Sequence, residues 1–149
     1  MAEIGFYHLQ STALDRALPG ILSKALKGGM RALVLAGSKE RIEALDAALW
    51  TYDPDSFLPH GTKASGNAPL QPIWLTDQDE NPNSATLLVL LDDMISARLA
   101  DYPRVVYMFD GNDTAAVEAA RARWKTLKDG GHDLAYWQQG EAGGWEKKS

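Results

Sequence analysis

The sequence predicts a doubly wound, three-layer α/β fold in which helices flank a mostly parallel sheet. Segments rich in branched and aromatic residues alternate with segments of helical spacing, in the order β-α-β-α-β-β-β-α-β. The run TLLVLLD at 86–92 is apolar almost throughout, which is typical of a strand buried on both faces of a sheet. At 149 residues, the chain is long enough for one domain with a substantial core, and it contains no repeat.

The first strand and helix are predicted from composition and capping. IGFYHLQ at 4–10 has the branched and aromatic residues of a strand. Thr12, followed by Asp15 three residues later, resembles a capping box and predicts a helix start. Pro19 predicts a kink or a restart in that helix, and Gly28-Gly29 predicts its end.

The second strand and helix follow directly. RALVLA at 31–36 predicts a strand, and Ser38 predicts the N-cap of a helix that ends near Trp50. The apolar face of that helix holds Ile42, Leu45 and Leu49. Residues 51–69 are rich in Pro, Gly, Ser and Asn and predict a long loop.

The second half of the chain predicts four more strands and one helix. The strands cover QPIWLT at 71–76, TLLVLLD at 86–92, RVVYMFD at 104–110 and HDLAYWQQ at 132–139. Asp113 or Thr114 starts the helix, which runs to about Asp129 and ends at Gly130-Gly131. Residues 140–149 predict no regular structure. We therefore expect a single domain over 1–138 and a flexible tail over 139–149.

Charge and composition exclude several classes of function. A net charge of −5 and a pI of about 5.1 predict that the chain as a whole is repelled by nucleic acid, so that contact with DNA is indirect. The absence of cysteine excludes disulfides and thiolate metal sites. No signal peptide and no apolar run of membrane-spanning length is visible, which predicts a cytoplasmic protein.

No motif for catalysis or cofactor binding stands at the strand ends, where ligands of such sheets usually bind. The chain lacks the phosphate-binding glycine patterns and the serine nucleophile elbow. Asp92 or Asp93 could hold Mg²⁺, but a solvated strand end is favoured. Asp110 and Asp113 could likewise hold Mg²⁺, but a turn followed by an N-cap is favoured. The histidines have no metal-ligand spacing, and no nucleophile is placed beside His60. No catalytic residue, metal site or cofactor is predicted.

Basic residues are concentrated on the last long helix. Residues 121–128 contain four positive charges and no negative one, a local reversal in an acidic chain. At helical spacing, Arg121, Lys125 and Lys128 form a stripe beside Trp124. Such a stripe suits an acidic peptide with an apolar end. The alternative is that the cations complement the helix dipole and that Trp124 belongs to the core.

The stretch ALDAALWTYDPDSFLPHG at 44–61 places an unusual amount of aromatic surface in a loop. Trp50 lies at the edge of the buried face of its helix. The residues alone leave two interpretations open: a hydrophobic plug, or a docking surface that a partner covers.

These stretches resemble the chi subunit of the bacterial DNA polymerase III holoenzyme, an accessory of the clamp loader. The resemblance covers nearly the whole chain in order, and its most specific part is the segment at 43–61. The matching stretches are FYHL (6–9), EALDAALWTYDPDSFLPHG (43–61), FDGND (109–113), ARARWK (120–125) and AYWQQ (135–139).

The resemblance implies a Rossmann-like fold, no enzymatic activity and two protein partners. One partner is the acidic C-terminal tail of single-stranded DNA-binding protein, bound at Arg121, Trp124 and Lys125, with Lys128 in the same stripe. The other is the psi subunit, or a helicase that competes for the same surface, bound at Trp50 and Phe57. Some relatives carry a basic residue where this chain has Val117, and tyrosine where it has Trp124.

The resulting hypothesis is a non-enzymatic replication adaptor associated with the replisome in the cytoplasm. The alternative hypothesis is a nucleotide-binding or phosphotransfer enzyme on the same fold.

Overall fold

A computed structural model describes residues 3–10, 14–51, 59–63, 66–140 and 144–148, apart from the side chain of Asp15. Within these residues, eight strands form one sheet that carries three α-helices. The strands are β1 (Glu3–Leu9), β2 (Ala32–Leu35), β3 (Gly61–Thr62), β4 (Ile73–Thr76), β5 (Leu87–Leu90), β6 (Arg104–Asp110), β7 (Asp133–Gln139) and β8 (Trp145–Lys147). The helices are α1 (Leu14–Lys27), α2 (Lys39–Thr51) and α3 (Thr114–Asp129). The predicted single-domain α/β fold is confirmed.

The sheet has the strand order β3-β4-β2-β5-β6-β1-β7-β8, and every pairing is parallel except that of β7 with β8. Strands β2, β4 and β5 are buried at every residue. Their continuous apolar runs follow from this position, because helices or loops cover both faces of a parallel sheet.

The two faces of the sheet carry separate hydrophobic cores. Helices α1 and α2 bury Leu18, Leu22 and Leu45 against one face. Helix α3 buries Ala120 and Leu127 against the other face, together with side chains from the segment before β6. The molecule is therefore a three-layer sandwich, with α3 on the side opposite to α1 and α2.

The predicted helix boundaries are largely confirmed. The Ser38 hydroxyl accepts the Arg41 amide at 3.1 Å, and the Asp113 carboxylate accepts the amides of the first turn of α3. Helix α1 continues without interruption through Pro19, so the predicted restart there is wrong. Pro19 is the sixth residue of the helix, past its first turn, and there it removes one backbone hydrogen bond without ending the helix. The predicted cap at Thr12 lies outside the described residues.

Two short strands were not predicted. Gly61–Thr62 forms β3 within the predicted loop, and Trp145–Lys147 forms β8 within the segment predicted to lack structure. Strand β8 pairs with β7, and the ring of Trp145 packs edge-on against Tyr7 at 5.0 Å. The aromatic contact gives this three-residue strand a tertiary anchor that periodicity does not reveal. The flexibility predicted for 139–149 stays a prediction.

No helix in the described ranges has both the length and the apolar character needed to span a membrane.

Candidate functional site

Helix α3 separates an apolar face from a cationic face as its spacing predicts. Ala120 and Leu127 are 2% and 6% exposed and lie in the core beneath the helix. Val117 and Trp124 pack against the same core and are partly buried. The outward face carries Arg121, Lys125 and Lys128, all exposed. We call these three residues the cationic stripe.

Arg123 belongs to a different surface. Its Nε donates to the Asp93 carboxylate at 3.0 Å, and its Nη2 donates to the Asp93 carbonyl at 3.3 Å. Asp93 thus offsets one of the four positive charges counted in the sequence. Within the described part of the chain, the cationic stripe makes no ion pair. Its charge is therefore available to an external anion.

Trp124 forms an aromatic border beside the cationic stripe. Its ring packs edge-on against Phe6, with centroids 5.2 Å apart, and edge-on against Tyr136 at 5.8 Å. Strands β1 and β7 bring these partners together, because Phe6 is in register with Tyr136. The two predictions for Trp124 are thus compatible: part of its ring belongs to the core, and the rest borders the stripe.

The surroundings of Tyr136 include a histidine to which the sequence assigned no role. His8 Nδ1 lies 2.5 Å from the Tyr136 hydroxyl. Burial and the nearby Arg121 lower the pKa of His8, whereas Asp110 opposes the shift. Burial raises the pKa of Tyr136, and Arg121 acts in the opposite direction. Both side chains therefore lie within the electrostatic reach of Arg121, one residue of the cationic stripe.

Sequence reasoning missed this pair because the two residues are 128 positions apart. Only the pairing of β1 with β7 brings them together. Both residues do occur in matching stretches, FYHL and AYWQQ, and those short motifs were the available signal.

Trp50 lies at the end of α2 and is 52% exposed. Its ring lies 4.4 Å from that of His60, which is only 6% exposed. His60 Nε2 is 2.9 Å from a carboxylate oxygen of Asp46 on α2. The exposure of Trp50 argues against a buried plug and leaves its indole accessible. Phe57, the other predicted docking residue, lies outside the described residues.

The cationic stripe and Trp50 are on opposite faces of the sheet. The stripe belongs to α3, which packs on one core, and Trp50 belongs to α2, which packs on the other. The structure therefore does not bring the two groups of predicted site residues together. They are two separate surfaces.

The carboxyl ends of the strands form a cavity of about 810 Å³. Its charged lining consists of Arg41 and the carboxylates of Asp92, Asp93, Asp110 and Asp113. Asp110 accepts the Asn112 amide at 2.9 Å, and Asp113 caps α3, which confirms the predicted turn followed by an N-cap. The surplus of negative charge disfavours a phosphate ligand.

The aspartates at the end of β5 also have protein partners. Asp92 accepts the Gly37 amide at 3.0 Å and pairs with Arg41 at 3.3 Å. Asp93 accepts the Tyr107 hydroxyl at 2.6 Å besides its pair with Arg123. In the portion of the chain described, no group of three or more histidine and carboxylate side chains is arranged to hold a metal ion.

Comparison with known proteins connects this arrangement to one family. The family model described as DNA polymerase III chi subunit, HolC, matches residues 1–135. The chain is 28% identical over 109 residues to the probable DNA polymerase III subunit chi of Rickettsia prowazekii, covering 73% of this chain and 66% of that relative, slightly less than two thirds of its length. It is 25% identical over 126 residues to the DNA polymerase III subunit chi of Escherichia coli, covering 83% of this chain and 84% of the relative. The protein therefore belongs to the DNA polymerase III chi subunit family, whose members are accessory subunits of a replicative polymerase.

Proposed function

We propose that this protein is a non-enzymatic adaptor that binds the acidic C-terminal tail of single-stranded DNA-binding protein. On its other face it joins that protein to the DNA polymerase III clamp loader, through psi or an equivalent subunit. The observation that carries the proposal is the cationic stripe of Arg121, Lys125 and Lys128, which is exposed beside Trp124.

The chemistry of the stripe fits a peptide rich in carboxylates. Its three cations point outward and have no ion-pair partner among the described residues, although the chain as a whole carries a charge of −5. Charge-assisted hydrogen bonds from arginine and lysine are among the stronger contacts available to a carboxylate. The ring of Trp124 supplies an apolar border for the aromatic end of the tail. The two features match the two chemical parts of such a peptide.

The surface at Trp50 supports a second partner. An exposed indole is a typical anchor at protein interfaces. The contact with His60, which is itself held by Asp46, limits the number of conformations available to the indole. Because an ordered side chain loses less conformational entropy on binding, this arrangement favours a docking role. Phe57 is proposed as part of the same surface by resemblance alone.

The opposite placement of the two surfaces supports the role of a link. A ligand on α3 and a partner at the end of α2 contact different faces of the sheet. Both can therefore bind at once. The alternative of a nucleotide-binding enzyme gains no support, since carboxylates dominate the cavity at the strand ends.

The first test is the affinity for a fluorescently labelled peptide made of several aspartates and a C-terminal phenylalanine. Arg121→Ala and Lys125→Ala should each weaken binding by about three- to thirtyfold, because each removes one charge-assisted contact. Fluorescence anisotropy measures the dissociation constant, and binding should weaken as salt is added.

Arg123→Ala is the matched control. It lies on the same helix and changes the net charge by the same amount, but Arg123 already pairs with Asp93. Its effect on peptide binding should be less than about twofold. If all three substitutions weaken binding equally, the peptide responds to net charge rather than to this site. If Arg121→Ala and Lys125→Ala leave binding unchanged, the site is wrong.

A further inference from the structure

His8 and Tyr136 form a hydrogen-bonded pair next to Trp124, the aromatic border of the cationic stripe. His8 Nδ1 lies 2.5 Å from the Tyr136 hydroxyl, and the Tyr136 ring is packed edge-on against Trp124 at 5.8 Å. Trp124 is also the apolar border of the proposed peptide site. The pair therefore contacts that site through the rings of Tyr136 and Trp124, and neither proposed surface includes it.

The charged groups around His8 come from three elements. Strand β7 presents the Tyr136 hydroxyl, α3 presents Arg121, and β6 presents Asp110. Burial of the ring lowers the pKa of His8, Arg121 lowers it further, and Asp110 opposes both effects. On its Nε2 side the ring packs closely against Gly111. At neutral pH and without bound peptide, these effects favour a neutral imidazole near Arg121, which has no ion-pair partner in the described ranges.

We propose that His8 and Tyr136 belong to the peptide site and that a carboxylate bound at Arg121 promotes protonation of His8. This inference rests on the function proposed above, since it concerns the regulation of the same site. Its consequence is that binding of an acidic peptide takes up a proton and strengthens as the pH falls.

The hydrogen atoms of the pair account for the coupling. In the Nε2-protonated tautomer, the neutral ring accepts the Tyr136 hydroxyl hydrogen at Nδ1 when no peptide is bound. When His8 takes a proton from solvent at Nδ1, the ring becomes a donor to the hydroxyl oxygen at the same position. The hydroxyl hydrogen must then turn away from the ring, and it becomes available to a ligand carboxylate. One proton enters from the buffer, and no covalent bond of the protein or the peptide changes.

The electrostatic reason lies in Arg121. Its positive charge disfavours a second positive charge on His8 while the site is empty. A bound carboxylate offsets that charge, so the cost of protonating His8 falls. Because linkage is reciprocal, a ligand that raises the pKa of His8 must bind more tightly to the protonated form.

The first experiment needs no peptide. The pKa of His8 is measured from its ring signals by NMR in the wild type and in Arg121→Gln, which removes the charge and keeps a polar side chain. The pKa should be below its usual value of about 6.5 in the wild type and should rise in the variant. An unchanged pKa would show that Arg121 does not act on His8 and would overturn the inference.

The second experiment measures affinity for the aspartate-rich peptide with a C-terminal phenylalanine at about pH 8 and at about pH 5.5, where its carboxylates stay mostly ionised. Wild-type affinity should rise at the lower pH by up to about tenfold for each unit by which binding raises the pKa of His8. His8→Gln should bind with little pH dependence. Tyr136→Phe should lose most of the gain at low pH, because it has no hydroxyl to redirect.

Calorimetry in two buffers of different ionisation enthalpy counts the protons directly. The wild type should take up a fraction of a proton per peptide, and His8→Gln should take up none. Equal pH dependence in the wild type and in His8→Gln would overturn this inference and leave the peptide site intact. Absence of peptide binding at both pH values would overturn the proposed function and this inference with it.

Discussion

Gly111 lies in the turn after β6, where neighbouring atoms leave no room for a side chain. Its amide donates to the Leu9 carbonyl at 2.7 Å. A Cβ at this position would collide with the ring of His8 and with the Leu9 carbonyl oxygen. The glycine of the FDGND motif is therefore required by the close approach of two strand ends. The sequence predicted the turn itself, but the packing of His8 on the glycine depends on the pairing of β1 with β6.

Gly111→Ala should lower the free energy of unfolding by about 1–3 kcal/mol, because the ring and the backbone of β1 must move to admit a methyl group. Urea denaturation measures the change. Gly20→Ala is the control, because Gly20 lies within helix α1 and a Cβ added there would meet nothing within 4 Å. It should be neutral or stabilising by up to about 1 kcal/mol. Equal effects of the two substitutions would contradict the close packing at Gly111.

At the scale of elements, β8 shows how an aromatic side chain helps to anchor a short strand. The strand pairs with β7 at three positions, and the Lys148 amide that follows it donates to the Tyr136 carbonyl at 2.7 Å. Trp145 faces the α1 side of the sheet. There its ring packs edge-on against Tyr7, which itself stacks on Trp137 at 6.2 Å. The aromatic group anchors the edge strand where backbone pairing alone is short.

Trp145→Ala should reduce the free energy of unfolding by about 1–3 kcal/mol, since it removes a partly buried aromatic contact. Lys147→Ala, on the same strand but exposed, should change stability by less than about 0.5 kcal/mol. Chemical denaturation of both variants makes the comparison. Peptide affinity should stay unchanged in both, because β8 packs on the face opposite to α3. Loss of peptide binding in Trp145→Ala would place β8 within the peptide site.

The whole molecule carries its two candidate surfaces on opposite sides of one sheet. The overall charge of −5 disfavours direct contact with DNA, while the cationic stripe is a local exception to it. This distribution of charge suits a protein that reaches DNA through an acidic segment of another protein. The separation of the stripe from Trp50 predicts that the two partners bind independently.

Trp50→Ala should reduce recovery of clamp-loader subunits from cell extract severalfold, because it removes an exposed aromatic anchor. Its affinity for the acidic peptide should match that of the wild type. Arg121→Ala should show the reverse pattern, with normal recovery of clamp-loader subunits and weakened peptide binding. Quantitative pull-downs and peptide titrations of both variants test this independence. A variant that loses both activities while remaining folded would contradict two separate surfaces.

The sequence by itself determined the α/β class, the order of the main strands along the chain and the two faces of α3. These features depend on local periodicity, capping and apolar runs, which act over a few residues. It also predicted the residues of both candidate surfaces, partly through the resemblance of whole stretches to one family. Ser38 and Asp113 were correct as helix caps for the same reason, since a cap bonds within its own first turn.

Only the tertiary structure decided which of these residues are available and what surrounds them. Asp93 pairs with Arg123 and offsets one of the four positive charges of residues 121–128, although 30 residues separate the two. Trp145 of β8 packs against Tyr7, and His8 contacts Tyr136 because β1 lies beside β7. Contacts of this kind join distant segments through strand pairing and packing. No local pattern encodes them, and they appear only when the sheet is assembled.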